Sequence, residues 1–217
     1  MKITWLAPGD PPARFPPVSQ ALDEPPGLLA AGGDLSPERL VEAYQRGIFP
    51  WYSSGEPVLW WSPDPREVLL PAEFHASRSL QRTLRSGIFT VTEDCNFAAV
   101  VAACAESRGP GTGTWITPEM QAAYRQLHAM GHAHSIEVWH GDELAGGVYG
   151  VRSGRVFCGE SMFSRRDDAS KVALAWVARQ APARGIELID CQMPSRHLRS
   201  LGSRAMPRAQ FLEFLAP

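Results

Sequence analysis

The chain has 217 residues, of which 44% are hydrophobic, 20% charged and 9% aromatic, and its formal net charge is −2. This length allows one compact domain, or one domain with a smaller partner, and excludes a large multidomain machine. The composition supplies a sizeable core and carries too little charge for a disordered chain.

Signals for export or membrane insertion are not evident in the sequence. The longest uninterrupted apolar run, 97–105, has nine residues, whereas a helix that crosses a bilayer needs ~20. The first residues contain one lysine and are soon broken by Pro8, Pro11 and Pro12, unlike a signal peptide. The four cysteines show no paired spacing and are expected to be reduced thiols. We therefore expect a cytoplasmic protein, without membrane contact, and a monomer as the simplest assembly.

The first sixty residues are rich in proline, glycine and tryptophan and contain one predicted helix. Ser36 is a good cap for a helix over 37–46, with Glu38 in its first turn and Gly47 at its end. Further prolines follow at positions 63 and 65 and interrupt regular structure. The pattern predicts a small N-terminal lobe over residues 1–63 and a larger domain over residues 64–217.

The second predicted helix carries a stripe of arginines. The segment 74–92 contains no acidic side chain. At helical spacing within it stand Arg78, Arg82 and Arg85, between a capping Ser77 and a terminating Gly87. Such a stripe suits a phosphate backbone, because arginine donates paired hydrogen bonds to phosphate. A solvated helix face explains the same pattern equally well.

The rest of the chain alternates between helix and strand patterns. These predict, in chain order, a strand at 89–92, a helix at 97–106, a glycine-rich loop at 109–113, a helix at 118–130, strands at 135–139, 144–151 and 155–158, a helix at 168–183, a strand at 187–191 and a helix at 207–215. Ser153 and Gly154 form a tight hairpin turn between two of the strands. This order predicts an α+β fold with a mixed, mainly antiparallel sheet.

Motifs for metal and nucleotide chemistry are weak or missing. His128, His132 and His134 have spacing that metal ligands can use, but Gly131 interrupts the predicted helix between them and no matching carboxylate and histidine cluster accompanies them. The glycine-rich phosphate loops of nucleotide-binding proteins do not occur. We therefore predict neither a metal nor a nucleotide-hydrolysing site.

Two other features allow a functional and a structural interpretation. Asp190 and Gln192 lie two residues apart at the end of a predicted strand and so share a face, either as a working pair of carboxylate and amide or as a turn cap beside a solvated side chain. Trp51 and Trp115 fall in predicted loops, where aromatic rings anchor a core or stack on nucleic-acid bases. The local pattern leaves both alternatives open.

Seven segments, taken together, are similar to one protein family. They are residues 27–36 (GLLAAGGDLS), 44–51 (YQRGIFPW), 59–66 (LWWSPDPR), 113–117 (GTWIT), 131–139 (GHAHSIEVW), 157–164 (FCGESMFS) and 188–192 (LIDCQ). From about residue 27 to 215 the chain resembles the bacterial leucyl/phenylalanyl-tRNA–protein transferase family. The resemblance implies an aminoacyltransferase whose larger domain has a GNAT-like acyltransferase fold.

The resemblance also implies a reaction and its partners. Enzymes of this family transfer Leu, Phe or, less efficiently, Met from Leu-tRNA, Phe-tRNA or Met-tRNA to proteins that begin with Arg or Lys, which marks these proteins for degradation in the N-degron (N-end rule) pathway. The aminoacyl ester is already activated, so the enzyme mainly has to hold the ester and the amine in attack geometry. No cofactor or metal is expected.

Roles for individual residues follow from the same resemblance. It implies catalytic roles for Asp190, Gln192 and Glu160, with Asp190 polarising Gln192 so that the amide oxygen helps to take the amine proton; a ribose hydroxyl of the tRNA is the rival proton carrier. The other residues that it implies are an aminoacyl pocket of Phe157, Met162, Ile189 and Val148, adenosine contacts from Trp51 and Trp115, and tRNA contacts from Arg78, Arg82 and Arg85.

Two alternative functions are weighed against this one. An acyl-CoA-dependent GNAT-type N-acetyltransferase is disfavoured because its pyrophosphate-loop signature is missing. A non-catalytic tRNA-binding module is disfavoured because Glu160, Asp190 and Gln192 are all intact. The chain departs from the family pattern at Val148, where relatives can carry methionine, and a wider pocket is the expected consequence. It also departs at Val177 and Ala181, where rings can occur, so other details of the pocket are expected to differ.

Overall fold

The computed structural model of the protein describes residues 3–106 and 114–216. The glycine-rich loop predicted at 109–113 lies outside the described residues. None of the helices within these two ranges is long and apolar enough to cross a membrane.

The first part of the chain forms a small four-stranded sheet and one helix. Its strands are β1 (Thr4–Leu6), β2 (Leu28–Gly32), β3 (Phe49–Pro50) and β4 (Leu59–Trp61), and the helix is α1 (Pro37–Gln45). The strand order is β1-β2-β4-β3. The position of α1 is confirmed to within one residue. The sheet was not predicted, because its strands are only two to five residues long and too short for an alternating pattern to be recognised.

Trp60 is the centre of the core of this small sheet. The side chain is fully buried, its indole Nε1 donates a hydrogen bond to the carbonyl oxygen of Gly32 at 2.9 Å, and the Phe15 ring packs edge-on at 4.9 Å between ring centroids. Leu40 and Tyr44 of α1 join the same hydrophobic cluster. The sheet and α1 are therefore tied to one core.

The rest of the chain builds a larger sheet of seven strands. Its strands are β5 (Arg66–Leu69), β6 (Thr90–Glu93), β7 (Ala133–His140), β8 (Glu143–Ser153), β9 (Val156–Ser164), β10 (Leu188–Gln192) and β11 (Arg204–Met206). The strand order is β11-β5-β10-β9-β8-β7-β6. Strands β9 and β10 are parallel, and the other neighbours are antiparallel. The predicted α+β fold with a mixed, mainly antiparallel sheet is confirmed.

Helices cover both faces of the larger sheet. They are α2 (Arg78–Ser86), α3 (Phe97–Glu106), α4 (Pro118–Ala129), α5 (Ala169–Gln180), α6 (Arg196–Ser200) and α7 (Arg208–Glu213). Helices α3 and α4 pack on one face together with α1, whereas α5 and α2 pack on the other. The proposed boundary between residues 63 and 64 falls in the turn between β4 and β5 and stays a prediction.

Candidate active site

The parallel strands β9 and β10 part midway along their length. Their pairing runs from Leu188 and Val156 to Asp190 and Cys158 and then stops, while β9 continues to Ser164 with β8 as its partner. A cavity of about 220 Å³ opens at this point. Its walls are residues 159–162 of β9, residues 189–192 of β10, and Val148, Leu174 and Leu198.

Both strands carry a β-bulge at the cavity. In β9, Glu160 is an extra residue between the pairs Tyr149–Ser161 and Gly150–Gly159. In β10, Cys191 is the extra residue, and the backbone of Gln192 has a φ of 55° in the left-handed region. Bulges redirect side chains and are common beside active sites, and a left-handed non-glycine residue is strained. The fold therefore places Glu160 and Gln192 at the cavity at an energetic cost.

Asp190 is fixed by a buried ion pair that sequence reasoning did not find. Both side chains are almost fully buried, and Nε and Nη2 of Arg66 donate to the two carboxylate oxygens of Asp190 at 2.8 and 2.7 Å. The guanidinium of Arg66 lies between the rings of Phe49 and Phe211, 4.7 Å from each centroid. Burial opposes the charged form, but the charge of Asp190 raises the pKa of Arg66 above its usual value.

Gln192 is held by the same carboxylate. Its backbone N–H donates to Oδ1 of Asp190 at 2.9 Å, and its side-chain Nε2 lies 3.5 Å from Oδ2. With the amide nitrogen turned toward Asp190, the amide oxygen is available to accept a hydrogen bond from a ligand. The predicted pair of Asp190 and Gln192 thus lies side by side at the cavity wall.

Glu160 has a different environment from Asp190. Its Oε2 accepts a hydrogen bond from the Tyr124 hydroxyl at 2.7 Å, and that hydroxyl lies 2.5 Å from the hydroxyl of Tyr44. Its Oε1 is buried and has no hydrogen-bond partner among the described residues. Burial raises the pKa of Glu160 to about 7, although the hydrogen bonds of Tyr124 and Tyr44 oppose this shift. The carboxyl group therefore titrates near neutral pH.

The predicted aminoacyl pocket is assembled in part around this cavity. Val148, Met162 and Ile189 line it, and Leu174 of α5 joins them. Phe157 is buried in the same hydrophobic cluster as Val148 and Ile189, but it lines a second cavity, beside Trp176. The main cavity is thus apolar toward α5 and polar where the bulges lie.

The predicted nucleic-acid contacts lie outside the cavity wall. Trp51 is 40% exposed, and its ring lies 5.5 Å from the ring of Trp61, whose Nε1 donates to the Trp51 carbonyl oxygen at 2.7 Å. Trp115 is half-buried and packs against the core. Neither ring belongs to the described lining of the cavity.

The arginine stripe is confirmed as one exposed helix face. Oγ of Ser77 accepts from the N–H of Leu80 at 3.2 Å, and Gly87 ends α2 with a φ of 69°. The stripe consists of Arg78, Arg82 and Arg85, which are all exposed. In the described part of the chain, none of the three forms an ion pair, so their charges are available to a partner.

Two of the three candidate metal ligands lie beside one carboxylate. The Nδ1 atoms of His128 and His134 are 3.8 and 2.8 Å from the Asp94 oxygens, and the His128 ring also stacks on Phe97 with 4.3 Å between centroids. Among residues 3–106 and 114–216, no group of three or more histidine, cysteine or acidic side chains is arranged to hold a metal.

Three functional neighbours of the cavity were missed in the sequence. Tyr44 and Arg66 were noted only as part of family segments, and Tyr124 only as part of the helix predicted at 118–130. An arginine at the start of an otherwise apolar strand, Arg66–Leu69, is a signal for a buried cation that needs an acidic partner. Nothing in the local pattern identifies that partner as Asp190.

The site is suited to acyl transfer, because an apolar pocket adjoins an amide, a fixed carboxylate and a second carboxylate with a pKa of about 7. Comparison with known proteins makes the class specific. The family model described as leucyl/phenylalanyl-tRNA protein transferase matches residues 68–216, and the model of the N-terminal domain of this family matches residues 33–64. The chain belongs to this family and is an aminoacyltransferase.

Curated relatives support the same assignment. A leucyl/phenylalanyl-tRNA–protein transferase from Ectopseudomonas mendocina is 57% identical over 98% of this chain and 93% of its own length. One from Aromatoleum aromaticum is 59% identical over 99% of this chain and 89% of its own length. A solved structure, a GCN5-related N-acetyltransferase from Kribbella flavida, has a TM-score of 0.44 and 12% identity, covering 76% of this chain and 58% of that chain. So distant a likeness carries no argument about function.

Proposed function

We propose that this enzyme transfers leucine or phenylalanine, and methionine less efficiently, from aminoacyl-tRNA to the N-terminal arginine or lysine of acceptor proteins. The acylated proteins are then degraded through the N-end rule pathway, in the cytoplasm where charged tRNA is made. The observation that carries the proposal is the cavity between β9 and β10, in which an apolar pocket adjoins Glu160, Asp190 and Gln192. Membership of the family supplies the reaction class.

Donor selection is assigned to the apolar wall of the cavity. Val148, Met162 and Ile189 face the space beside Leu174, so an apolar donor side chain loses its water contact on entry. An apolar pocket discriminates weakly, by about 1–3 kcal/mol per methylene. Acceptance of leucine, phenylalanine and methionine is therefore expected, and rejection of β-branched side chains depends on shape.

The polar wall is assigned to the acceptor amine. The amide oxygen of Gln192 accepts a hydrogen bond from the amine. This bond orients the amine so that the lone pair of its nitrogen points at the ester carbonyl carbon. Asp190 acts through Gln192 as a positioning residue, because its carboxylate holds the Gln192 backbone N–H at 2.9 Å and is itself held by Arg66. This pair fixes the geometry of attack without a cofactor.

The tRNA is assigned to the surfaces outside the cavity. Trp51 and Trp115 stack on the 3′-terminal adenosine, a contact that aromatic side chains make with any base. Arg78, Arg82 and Arg85 contact phosphates of the acceptor stem from the exposed face of α2. Phosphate contacts position a nucleic acid without reading its sequence, so tRNAs with different acceptor stems are expected to bind similarly.

Arg82→Glu should raise the KM for charged tRNA by about 10–100-fold, because it removes a charge-assisted hydrogen bond to phosphate and adds repulsion. Use of a minimal aminoacyl-adenosine donor should stay unchanged, since this donor lacks the stem. Steady-state kinetics with both donors test this. Arg125→Glu, with the same charge change on the exposed face of α4, is the matched control. Equal loss with both donors would refute the assignment of α2.

The proposed function is tested by a transfer assay. The purified enzyme is mixed with Leu-tRNA, Phe-tRNA or Met-tRNA carrying a radiolabelled amino acid, and with peptides that begin with Arg, Lys or Gly. Label confined to the Arg and Lys peptides supports the proposal. Acetylation from acetyl-CoA without aminoacyl transfer would favour an N-acetyltransferase, and tRNA binding without transfer would favour a non-catalytic module.

A further inference from the structure

The two carboxylates at the cavity differ in their hydrogen bonding. Asp190 uses both oxygens on Arg66 and also accepts from the Gln192 backbone. Both partners of this ion pair are almost fully buried. The oxygens of Asp190 are therefore already occupied by donors of the protein itself.

Glu160, by contrast, forms no ion pair among the described residues. Its hydrogen-bond partner is the neutral hydroxyl of Tyr124, which is itself bonded to Tyr44, and its Oε1 has no partner among the described residues. A buried carboxylate without a paired cation binds a proton more readily than an exposed one. Consistent with this geometry, the pKa of Glu160 lies at about 7.

The groups around Glu160 come from five elements. Asp190 of β10 raises the pKa of Glu160, and Arg66 of β5 lowers it, although each is already paired with the other. The thiol of Cys158, also on β9, has a pKa raised well above its usual value by burial and stays neutral. Burial likewise raises the pKa values of Tyr44 on α1 and Tyr124 on α4, so both remain hydrogen-bond donors. Glu160, with a pKa of about 7, thus exchanges a proton near neutral pH in the middle of this set.

We propose that Glu160, rather than Asp190 or Gln192, accepts the proton of the attacking amine, with Tyr124 and Tyr44 as its positioning residues. This inference rests on the proposed function. An amide oxygen such as that of Gln192 is a very weak base, so Gln192 directs the amine without keeping its proton. The carboxylate of Glu160, a residue of the cavity wall whose Oε1 has no hydrogen-bond partner among the described residues, is the group that receives it.

The step balances without another reactant. The acceptor enters as a neutral amine, its nitrogen forms a bond to the ester carbonyl carbon, and the C=O π pair moves to the oxygen. One N–H proton passes to the Glu160 carboxylate. When the intermediate collapses, the bond between the carbonyl carbon and the ribose oxygen breaks, and the departing oxygen takes the proton from Glu160. The new amide, an uncharged ribose hydroxyl and ionised Glu160 remain.

The test is the pH dependence of kcat with saturating donor and acceptor. Wild-type kcat should rise with pH through an apparent pKa near 7. Tyr124→Phe removes a hydrogen bond that favours the ionised carboxylate, so the rise should move to higher pH, by ~1 unit. Tyr44→Phe should move it less. Tyr52→Phe, which removes a buried hydroxyl that faces Thr117 instead, should leave the rise where it is.

Two further arms make the result decisive. Glu160→Gln should lower kcat by ~10²–10⁴-fold, the usual contribution of a general base. Glu160→Ala should be partly rescued by formate, a small carboxylate that fits the vacated space. The profile is repeated with two acceptor peptides whose amino groups differ in pKa. The proposal would be overturned if the pH at which kcat rises changed with the pKa of the acceptor amine and stayed the same in Tyr124→Phe. It would also be overturned if Glu160→Gln kept full kcat.

The same assay separates this inference from the proposed function. If the wild-type enzyme transfers no amino acid, the proposed function fails. If it transfers normally but Tyr124→Phe leaves the pH profile unchanged, only the role of Glu160 fails.

Discussion

Arg66→Met should lower the free energy of unfolding by about 3–5 kcal/mol at neutral pH, because it leaves the buried carboxylate of Asp190 without its cation. Both partners are almost inaccessible to solvent, so water cannot replace the lost bonds. A typical domain has only about 5–15 kcal/mol of stability, and much of it would be lost. Urea unfolding of the variant and the wild type measures the difference.

Two further variants separate the buried charge from the loss of packing around Arg66. The double variant Arg66→Met with Asp190→Leu should recover most of the stability, since no charge is then left alone. Arg166→Met removes an arginine from an exposed pair with Glu143 and should cost less than ~1 kcal/mol. If Arg66→Met were as stable as Arg166→Met, the importance of the buried pair would be contradicted.

Glu160→Gln should stabilise the fold by up to about 3 kcal/mol at pH 8 and should have almost no effect at pH 4. The pKa of Glu160 is about 7 in the folded protein and 4.5 as the ordinary value. Below pH 4.5 the carboxyl group is protonated in both the folded and the unfolded state, so it does not change the free energy of unfolding. As pH rises from 4.5 to 7 the folded state holds more protons than the unfolded state and stability falls, and above pH 7 the full cost remains.

Urea unfolding at the two pH values checks this prediction. Glu213→Gln, on the exposed surface of α7, is the matched control for the chemical change itself. An equal gain at pH 4 and pH 8 would mean that burial of the charge is not the cause. Loss of stability at pH 8 would contradict the shifted pKa directly. The predicted outcome is a variant that is more stable and less active, as is common for residues kept for catalysis.

Local sequence signals were sufficient for most helices of the larger domain. The helix predicted from Phe97 to about Glu106 is present as Phe97–Glu106, because an apolar run of this length favours a buried helix. Strand β9 was predicted to stop at Cys158, but it continues to Ser164. Gly159, Glu160 and Ser161 break the alternation of a strand because they lie at a β-bulge, and a bulge depends on the partner strand.

The candidate site was predictable only in part for the same reason. The spacing of Asp190 and Gln192 placed them on one face, and the family resemblance added Glu160. The ion pair with Arg66 spans 124 positions of sequence, and the contact between Tyr124 and Glu160 spans 36. Such pairs arise from the strand order β5-β10-β9 and from the packing of α4, which no local pattern contains.

The most direct test of the site is a structure of the enzyme with an adenosine that carries phenylalanine through a stable amide in place of the ester. The phenyl ring should lie between Val148, Met162 and Leu174. The carbonyl group should lie ~3 Å from the Glu160 carboxyl group and the Gln192 amide. A phenyl ring in the second cavity beside Trp176, with its carbonyl remote from both residues, would contradict the site described above.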